Sequence, residues 1–526
     1  MSTARPSTST DTMDGRRSAS PQHSPSVDAH SGITAEEKQH GGSGLYSGPN
    51  KTVTMANDLT PDGAGGSGYP PARQSRRSTR EASFDVPPLR QRLTDLFVAE
   101  HPIKKEPTML ESAKAVFFAS WLNVLLVCIP VGWALHFTDQ NDTIVFVFNF
   151  LAIIPLAKLL GYGTEELALR VGQTLGGLLN ATLGNAVELI VSIIALAKCE
   201  IQVVQSSLLG SILSNLLLVL GMCFFFGGLK YSEQGFKGTA AQINSSLLVI
   251  AVIAVLLPAG YNATFADDQS EEIERDRILK MSRGASVILL VVYLAYLAFQ
   301  LFSHQHIFSD APVDENDADL REGRRIWGMG DRRAFRQAPS VRRPRPVEAA
   351  LEEGEEEEEA EEPTLNKWAA CVLLVIVTVL VALTAEFLVD SINGLTDAHP
   401  EISVEWVGLI LLPIVGNAAE HVTAVTVAAH DKIDLSIGVA VGSSIQISLF
   451  VIPFMVLLGW IMNKPLSLLF DPFESITLFL SVLLVNYTVS DGRSNWLEGF
   501  LLMSVYIIIA VAFWYYPDAA SSSYTC

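Results

Sequence analysis

The sequence predicts an all-α polytopic membrane protein, and three observations carry that prediction. Hydrophobic residues make up 49% of the 526 and charged residues only 17%, with a mean hydropathy of +0.31. A soluble chain of that apolar content would carry about 25% charged residues. The apolar residues are gathered into runs long enough to cross a bilayer, which takes about 20 residues at 1.5 Å each. Inside those runs, short polar sequences recur at one fixed separation.

Residues 1–112 come first. They are rich in Ser, Thr, Pro, Gly and Arg and contain no apolar run, the composition of a disordered cytosolic tail. The tail has no hydrophobic segment of the signal-peptide kind. It holds 13 acidic and 13 basic residues, so it contributes nothing to the formal net charge of −20. That charge and a pI near 4.9 exclude a nucleic-acid partner. The five cysteines (Cys128, Cys199, Cys223, Cys371, Cys526) are odd in number and four lie in apolar runs, which excludes a disulfide scaffold and reads as small buried hydrophobes.

Apolar runs near 114–136, 141–161, 176–199, 203–228, 238–259, 284–304, 367–391, 403–430, 434–462, 472–490 and 495–516 predict eleven transmembrane helices. The run at 403–430 is long enough to tilt or break. Helix 1 and the first repeat occupy 113–303, an acidic linker 304–366, the second repeat 367–516 and a C-terminal tail 517–526. Lys and Arg set the orientation. Arg73, Arg76, Arg77, Arg80, Arg90, Arg92, Lys104 and Lys105 precede helix 1 and hold the N-terminus in the cytosol. Lys230, Lys237, the stretch Arg321 to Arg345, Lys432 and Arg493 fall on the same side, which leaves the C-terminus lumenal. The 260–283 loop departs from the rule with four basic residues, accompanied by six acidic ones and the sequon Asn262-Ala263-Thr264.

The linker holds 17 acidic and 9 basic residues, a net of −8, with Glu355 to Glu359 consecutive. Two readings stand: a solvated connection, or a carboxylate run that concentrates divalent cations. It lacks the spacing of an EF-hand.

The internal repeat carries the most information. Gly184-Asn185-Ala186-Val187-Glu188 in helix 3 matches Gly416-Asn417-Ala418-Ala419-Glu420 in helix 8, and Gly210-Ser211-Ile212-Leu213 matches Gly442-Ser443-Ser444-Ile445, both at an offset of 232. Thr164-Glu165-Glu166-Leu167 in helix 2 echoes Ala385-Glu386-Phe387-Leu388 in helix 7. The unit is therefore five helices, 2–6 and 7–11, with helix 1 outside it. Five is odd, so the second copy enters from the opposite face: two inverted repeats, an architecture that places a substrate near the midplane at interrupted helices. Gly-Asn supplies the interruption, since Gly weakens a helix and Asn competes for backbone hydrogen bonds.

A carboxylate in the bilayer core costs roughly 2.5–3.5 kcal/mol on insertion scales. Glu188 and Glu420, at equivalent repeat positions, would meet at the pseudo-twofold, where they can hold a divalent cation or a proton. Calcium takes six to eight oxygen ligands, and the Asn185 and Asn417 amides with the Ser211 and Ser443 hydroxyls add to the two carboxylates. Asn and Glu three residues apart share one helix face. With no thiol in this set, zinc and copper fit poorly, whereas manganese, which also favours oxygen, fits. His421, where the first repeat has Leu189, is either a packing residue or a proton relay. Ser214 and Gln446 pair at the same offset, Gln446 as a replacement oxygen or a bond across helices, and Asn215 stands where the second repeat has Ile447.

These paired Gly-Asn-Ala-X-Glu and Gly-Ser segments, the 1+5+5 topology and the acidic loop resemble the calcium/proton exchangers of the cation/calcium exchanger superfamily, the fungal vacuolar ones in particular. The resemblance covers about residues 110–516. It implies that Glu188 and Glu420 are the central calcium and proton ligands, with Asn185 and Asn417 beside them. It also implies that helices 2 and 7 shift to open the site alternately, which makes Glu165 and Glu386 candidates for cation access, against the plainer reading of solvated caps. The expected activity is export of cytosolic calcium into an acidic organelle, the vacuole, in exchange for lumenal protons, with no cofactor and no enzymatic step. A sodium/calcium exchanger is the nearest alternative, and a cation channel or a calcium sensor built on the Glu run stands further off. Oligomeric state is left open.

Overall fold

The computed structural model describes residues 106–171, 173–265, 271–308 and 363–517. The expected N-terminal tail up to 105, most of the acidic linker and the last nine residues lie outside them. What is described is almost wholly helical, with one two-residue pair of strands, β1 (Gln234–Gly235) and β2 (Arg493–Ser494), joining two connections on the same side.

The first predicted helix is two pieces. α1a (Met109–Phe118) begins inside the predicted tail because Thr108 and Glu111 form a capping box, the Thr108 N–H donating to Glu111 Oε2 at 2.8 Å. α1b (Trp121–Phe137) leaves it at 89°, started afresh by the Ser120 hydroxyl, which accepts from the Leu122 N–H. The first repeat follows as α2 (Asp142–Ala168), α3a (Gln173–Leu183), α3b (Ala186–Ala197), α4 (Ile201–Lys230), α5 (Gly238–Phe265) and α6 (Glu271–Ala298). The second is α7 (Lys367–Ala398), α8a (Val404–Gly416), α8b (Ala418–Ala428), α9 (Ile433–Ile461), α10 (Pro472–Thr488) and α11 (Trp496–Trp514).

Each predicted run contains helix, but the expected eleven crossings are not all matched by length. Among the described residues seven helices are long and apolar enough to cross a membrane, or nine if the bent pairs α1a–α1b and α8a–α8b each count as one span. The shortfall has a local cause. The Gly184-Asn185 break leaves α3a and α3b with 11 and 12 residues, and α10 has 17. Helices 5 and 6 depart the other way: much of the predicted 260–283 loop is helical, because charged residues there pair along the helix, as Lys280 does with Asp276 at 2.6 Å. The Asn262 sequon therefore falls on the end of α5. Of the cysteines, Cys223 is buried and Cys128 half-buried, while Cys371, exposed, and Cys199, disulfide-bonded, depart from the expected buried hydrophobes.

Large apolar side chains such as Ile288, Leu294, Val375, Leu483 and Ile508 stand exposed on the outer helix faces, the surface a bilayer would cover. The two copies share irregularities as well as sequence. α4 loosens into a π-helical turn at Ser214–Val219, and α9 does the same at Ile447–Val451. Such turns concentrate at functional sites.

α2 and α7 lie along each other, and α7 also packs on α3b while α2 packs on both pieces of α8. Their shared end is fastened by Glu166, a buried carboxylate at the end of α2. It accepts from the Thr364 N–H at 3.0 Å and the Leu365 N–H at 3.2 Å, and from the Thr364 hydroxyl. Arg170 donates to Glu166 Oε2 at 3.3 Å and to the Leu365 carbonyl. The chain just before α7 is thus held against the end of α2. Breaking a buried pair leaves an uncompensated charge and costs about 3–5 kcal/mol. Glu166→Ala is accordingly expected to lower the unfolding temperature of the detergent-solubilised protein by several degrees, measured by the thermal shift of its intrinsic fluorescence.

Candidate cation site

The two Gly-Asn breaks set the site. Asn185 and Asn417 sit at the junctions, with φ −99° and ψ 28°, and φ −91° and ψ 1°, and each begins the second half of its helix. Neither side chain caps that half-helix, although Asn commonly does. Both amides are 1% exposed, so they are turned inward and left for other partners.

Asn185 finds its partners in the second repeat. Its Nδ2 donates to Gln446 Oε1 at 2.6 Å, and its Oδ1 accepts from the Ser443 hydroxyl at 2.9 Å. Ser443 Oγ in turn accepts from Asn215 Nδ2 at 3.1 Å. α3b, α9 and α4 are thereby tied together across the two halves. His421 bonds elsewhere: its Nε2 lies 3.4 Å from the Ser214 hydroxyl.

Glu188 and Glu420 occupy the first turns of α3b and α8b, where the helix dipole favours negative charge. They are close enough to feel each other's charge. Around them the polar groups lack partners. Glu188 Oε1, Glu420 Oε2, Asn215 Oδ1, Gln446 Nε2 and both polar atoms of the Asn417 amide are buried without a hydrogen bond. Buried polar atoms are paired in the great majority of cases, so this concentration of unpaired oxygens fits a bound cation better than a resting hydrogen-bond network. The donors are carboxylate, amide and hydroxyl oxygens, and no group of three or more His, Cys, Asp or Glu suited to a metal occurs among the described residues. A hard cation, carried as cargo, matches that set.

Glu188 also borders a small cavity with Val191, Ser207, Ser211, Leu388 and Pro413. Its floor is Gly416, and a Cβ there would stand 2.6 Å from Glu188 Oε1. The glycine of the repeat therefore does more than break the helix, for it lets the carboxylate of one half rest against the backbone of the other.

Not every predicted residue is here. Glu386 Oε1 lies 3.8 Å from Lys198 Nζ, and the same ammonium pairs with Asp390. Glu165 is exposed near the end of α2. Neither hydrogen-bonds any residue of the central group. Asn215 is the addition: its position in the 232 register marked it as a polar exception, and that was the signal for a role at the centre.

The family model described as sodium/calcium exchanger protein matches residues 141–302 and 369–515. The chain is 51% identical over 508 residues to the vacuolar calcium ion transporter of Cryptococcus neoformans var. grubii, covering 86% of this chain and 83% of that one. It is 42% identical over 422 residues to the vacuolar calcium ion transporter of Schizosaccharomyces pombe, covering 80% and 91%. Among solved structures, the selenium-substituted Ca2+/H+ antiporter protein YfkE aligns with a TM-score of 0.56 and 29% identity over 76% of this chain and 99% of that one.

The contact between Gly416 and Glu188 can be tested directly. Gly416→Ala should push the carboxylate aside and weaken calcium binding to the purified protein by at least about tenfold, a loss of roughly 1.4 kcal/mol read by calorimetric titration.

Proposed function

The chain belongs to the sodium/calcium exchanger protein family, and on that premise we propose that it is a calcium/proton antiporter of an acidic organelle membrane. The observation that carries this reading is the pair of glutamates, one from each repeat, each with a buried carboxylate oxygen that lacks a protein partner at the two helix breaks. Such a pair is stable in two states. With calcium bound, the carboxylates are ionised and neutralised by the ion. With protons bound, they are neutral and need no cation. Because one state excludes the other, loading on one side and release on the other couples the two gradients.

The vacuolar membrane is the proposed location, supported by the names of the fungal relatives, with the N-terminus cytosolic and the C-terminus lumenal from the distribution of Lys and Arg. Protons entering from the lumen displace calcium there, and the deprotonated pair reloads in the more alkaline cytosol. Glu188, Glu420, Asn417 and Asn185 form the proposed ligand set, with Ser211, Ser443 and Gln446 around it. His421, whose ring nitrogen bonds Ser214, takes the packing role more readily than the relay role. Manganese is a second proposed cargo, since every donor is oxygen.

Proteoliposomes carrying an imposed pH gradient, acid inside, test this reading. Calcium uptake should vanish when a protonophore collapses the gradient, and uptake that survives would rule out proton coupling. Glu188→Gln and Glu420→Gln should each reduce the initial uptake rate at least about a hundredfold at unchanged protein level, about 2.7 kcal/mol at 1.36 kcal/mol per tenfold change in rate. Normal rates in either variant would make the carboxylates structural.

A further inference from the structure

Lys158 lies well inside α2 and belongs to none of the interactions described above. It is half-buried and, among the described residues, forms no ion pair, and its ammonium makes one hydrogen bond, 3.5 Å long, to Thr423 Oγ1 on α8b. A lysine within a membrane span without an acidic partner is rare, and such groups mark ion pathways.

Where that ammonium stands is given by the repeat. Thr423 is three residues beyond Glu420, on the same face of α8b and one turn nearer its C-terminal end. In the 232 register its counterpart is Val191, since 423 − 232 = 191, and Val191 lines the cavity on Glu188. Thr423 therefore marks the corresponding approach to Glu420. In inverted repeats the two approaches open to opposite sides. α8b runs on to the Lys432 connection, which the charge distribution assigns to the cytosol, so this is the approach from which calcium loads. The counterpart of Lys158 in α7, at the offset of 221 that relates Glu165 to Glu386, is Val379. The Glu188 approach thus has no equivalent of Lys158 on α7, and the lysine nearest it, Lys198 at the end of α3b, is paired with Glu386 and Asp390.

We propose that Lys158 is a tethered cation on the Glu420 approach, which competes with incoming calcium and so sets the calcium affinity on the loading side. This rests on the reading that Glu188 and Glu420 hold the transported ion. Like charges repel strongly in the low-dielectric interior. The four-carbon stem lets the ammonium advance toward Glu420 when the site is empty and withdraw to Thr423 when calcium enters. The lysine is an affinity-determining residue rather than a ligand, and the barrier it raises keeps the site from binding calcium too tightly to release it.

The test is initial calcium uptake by proteoliposomes at fixed pH gradient, as a function of free calcium, for Lys158→Met, Lys158→Gln and Lys158→Arg. Removing the charge should lower the half-saturating calcium concentration about fivefold with no gain in maximal rate, while Lys158→Arg keeps the wild-type value. Both neutral variants are read, so one that fails to accumulate does not void the experiment. Wild-type half-saturation in the neutral variants, or a loss of rate at unchanged half-saturation, would overturn the proposal. Glu420→Gln, run in parallel, separates the two readings: if it transports normally, the site assignment has failed, and if it is inactive, the outcome at Lys158 speaks for the lysine alone.

Discussion

The constraint on which the rest depends is that a carboxylate inside a bilayer must be neutralised by something. Two of them, Glu188 and Glu420, are held in half-helices that start at the Gly-Asn breaks, and one buried oxygen of each has been left without a protein donor. An arrangement of that kind is stable with a cation or with protons and unstable with neither. The Gly-Asn breaks, the inward-turned amides and the glycine floor under Glu188 are all consequences of building a polar site where backbone and side chains cannot be solvated by water.

The two halves are alike in chain and unlike in chemistry. Asn185 is fully engaged, its donor on Gln446 and its acceptor on Ser443, whereas Asn417 has neither atom paired. The difference traces to Gln446 and Asn215, which reach the centre from α9 and α4, with no matching pair on the other side. One half is therefore locked to its neighbour and the other presents free ligands. A site made this way has a fixed wall and an adaptable one, which suits calcium's flexible coordination.

α2 and α7 stand apart from this wall. They lie along one another, joined at one end by the Glu166 and Arg170 network, while α2 touches both pieces of α8 and α7 touches α3b. A pair fastened in that way moves as one body more easily than as two, because separating it leaves buried charges unpaired. The proposed shift of these helices against the centre is consistent with that construction. Of the neighbouring acids Glu165 and Glu166, the sequence motif includes both, yet one is exposed and the other is the fastening point. Helical periodicity separates adjacent residues by about 100°, but which of them faces the protein depends on the partner helix.

Composition and periodicity, with the repeat, were enough to place the apolar runs, the breaks within helices 3 and 8 and the pair of candidate glutamates, because these follow from local chemistry and from the repeat, and both are written along the chain. The 89° turn in helix 1, the extension of helices 5 and 6 into the predicted loop and the short α10 were decided otherwise. There, capping side chains, ion pairs along a helix and packing against neighbours outweigh hydropathy. Which residues gather at the candidate site also depends on the third dimension. Asn215 enters it, Glu165 and Glu386 stay outside, and Lys158 comes to Thr423 from 265 residues away. Sequence determines which residues carry charge inside the membrane, while only the packing of helices from both halves determines which of those charges meet.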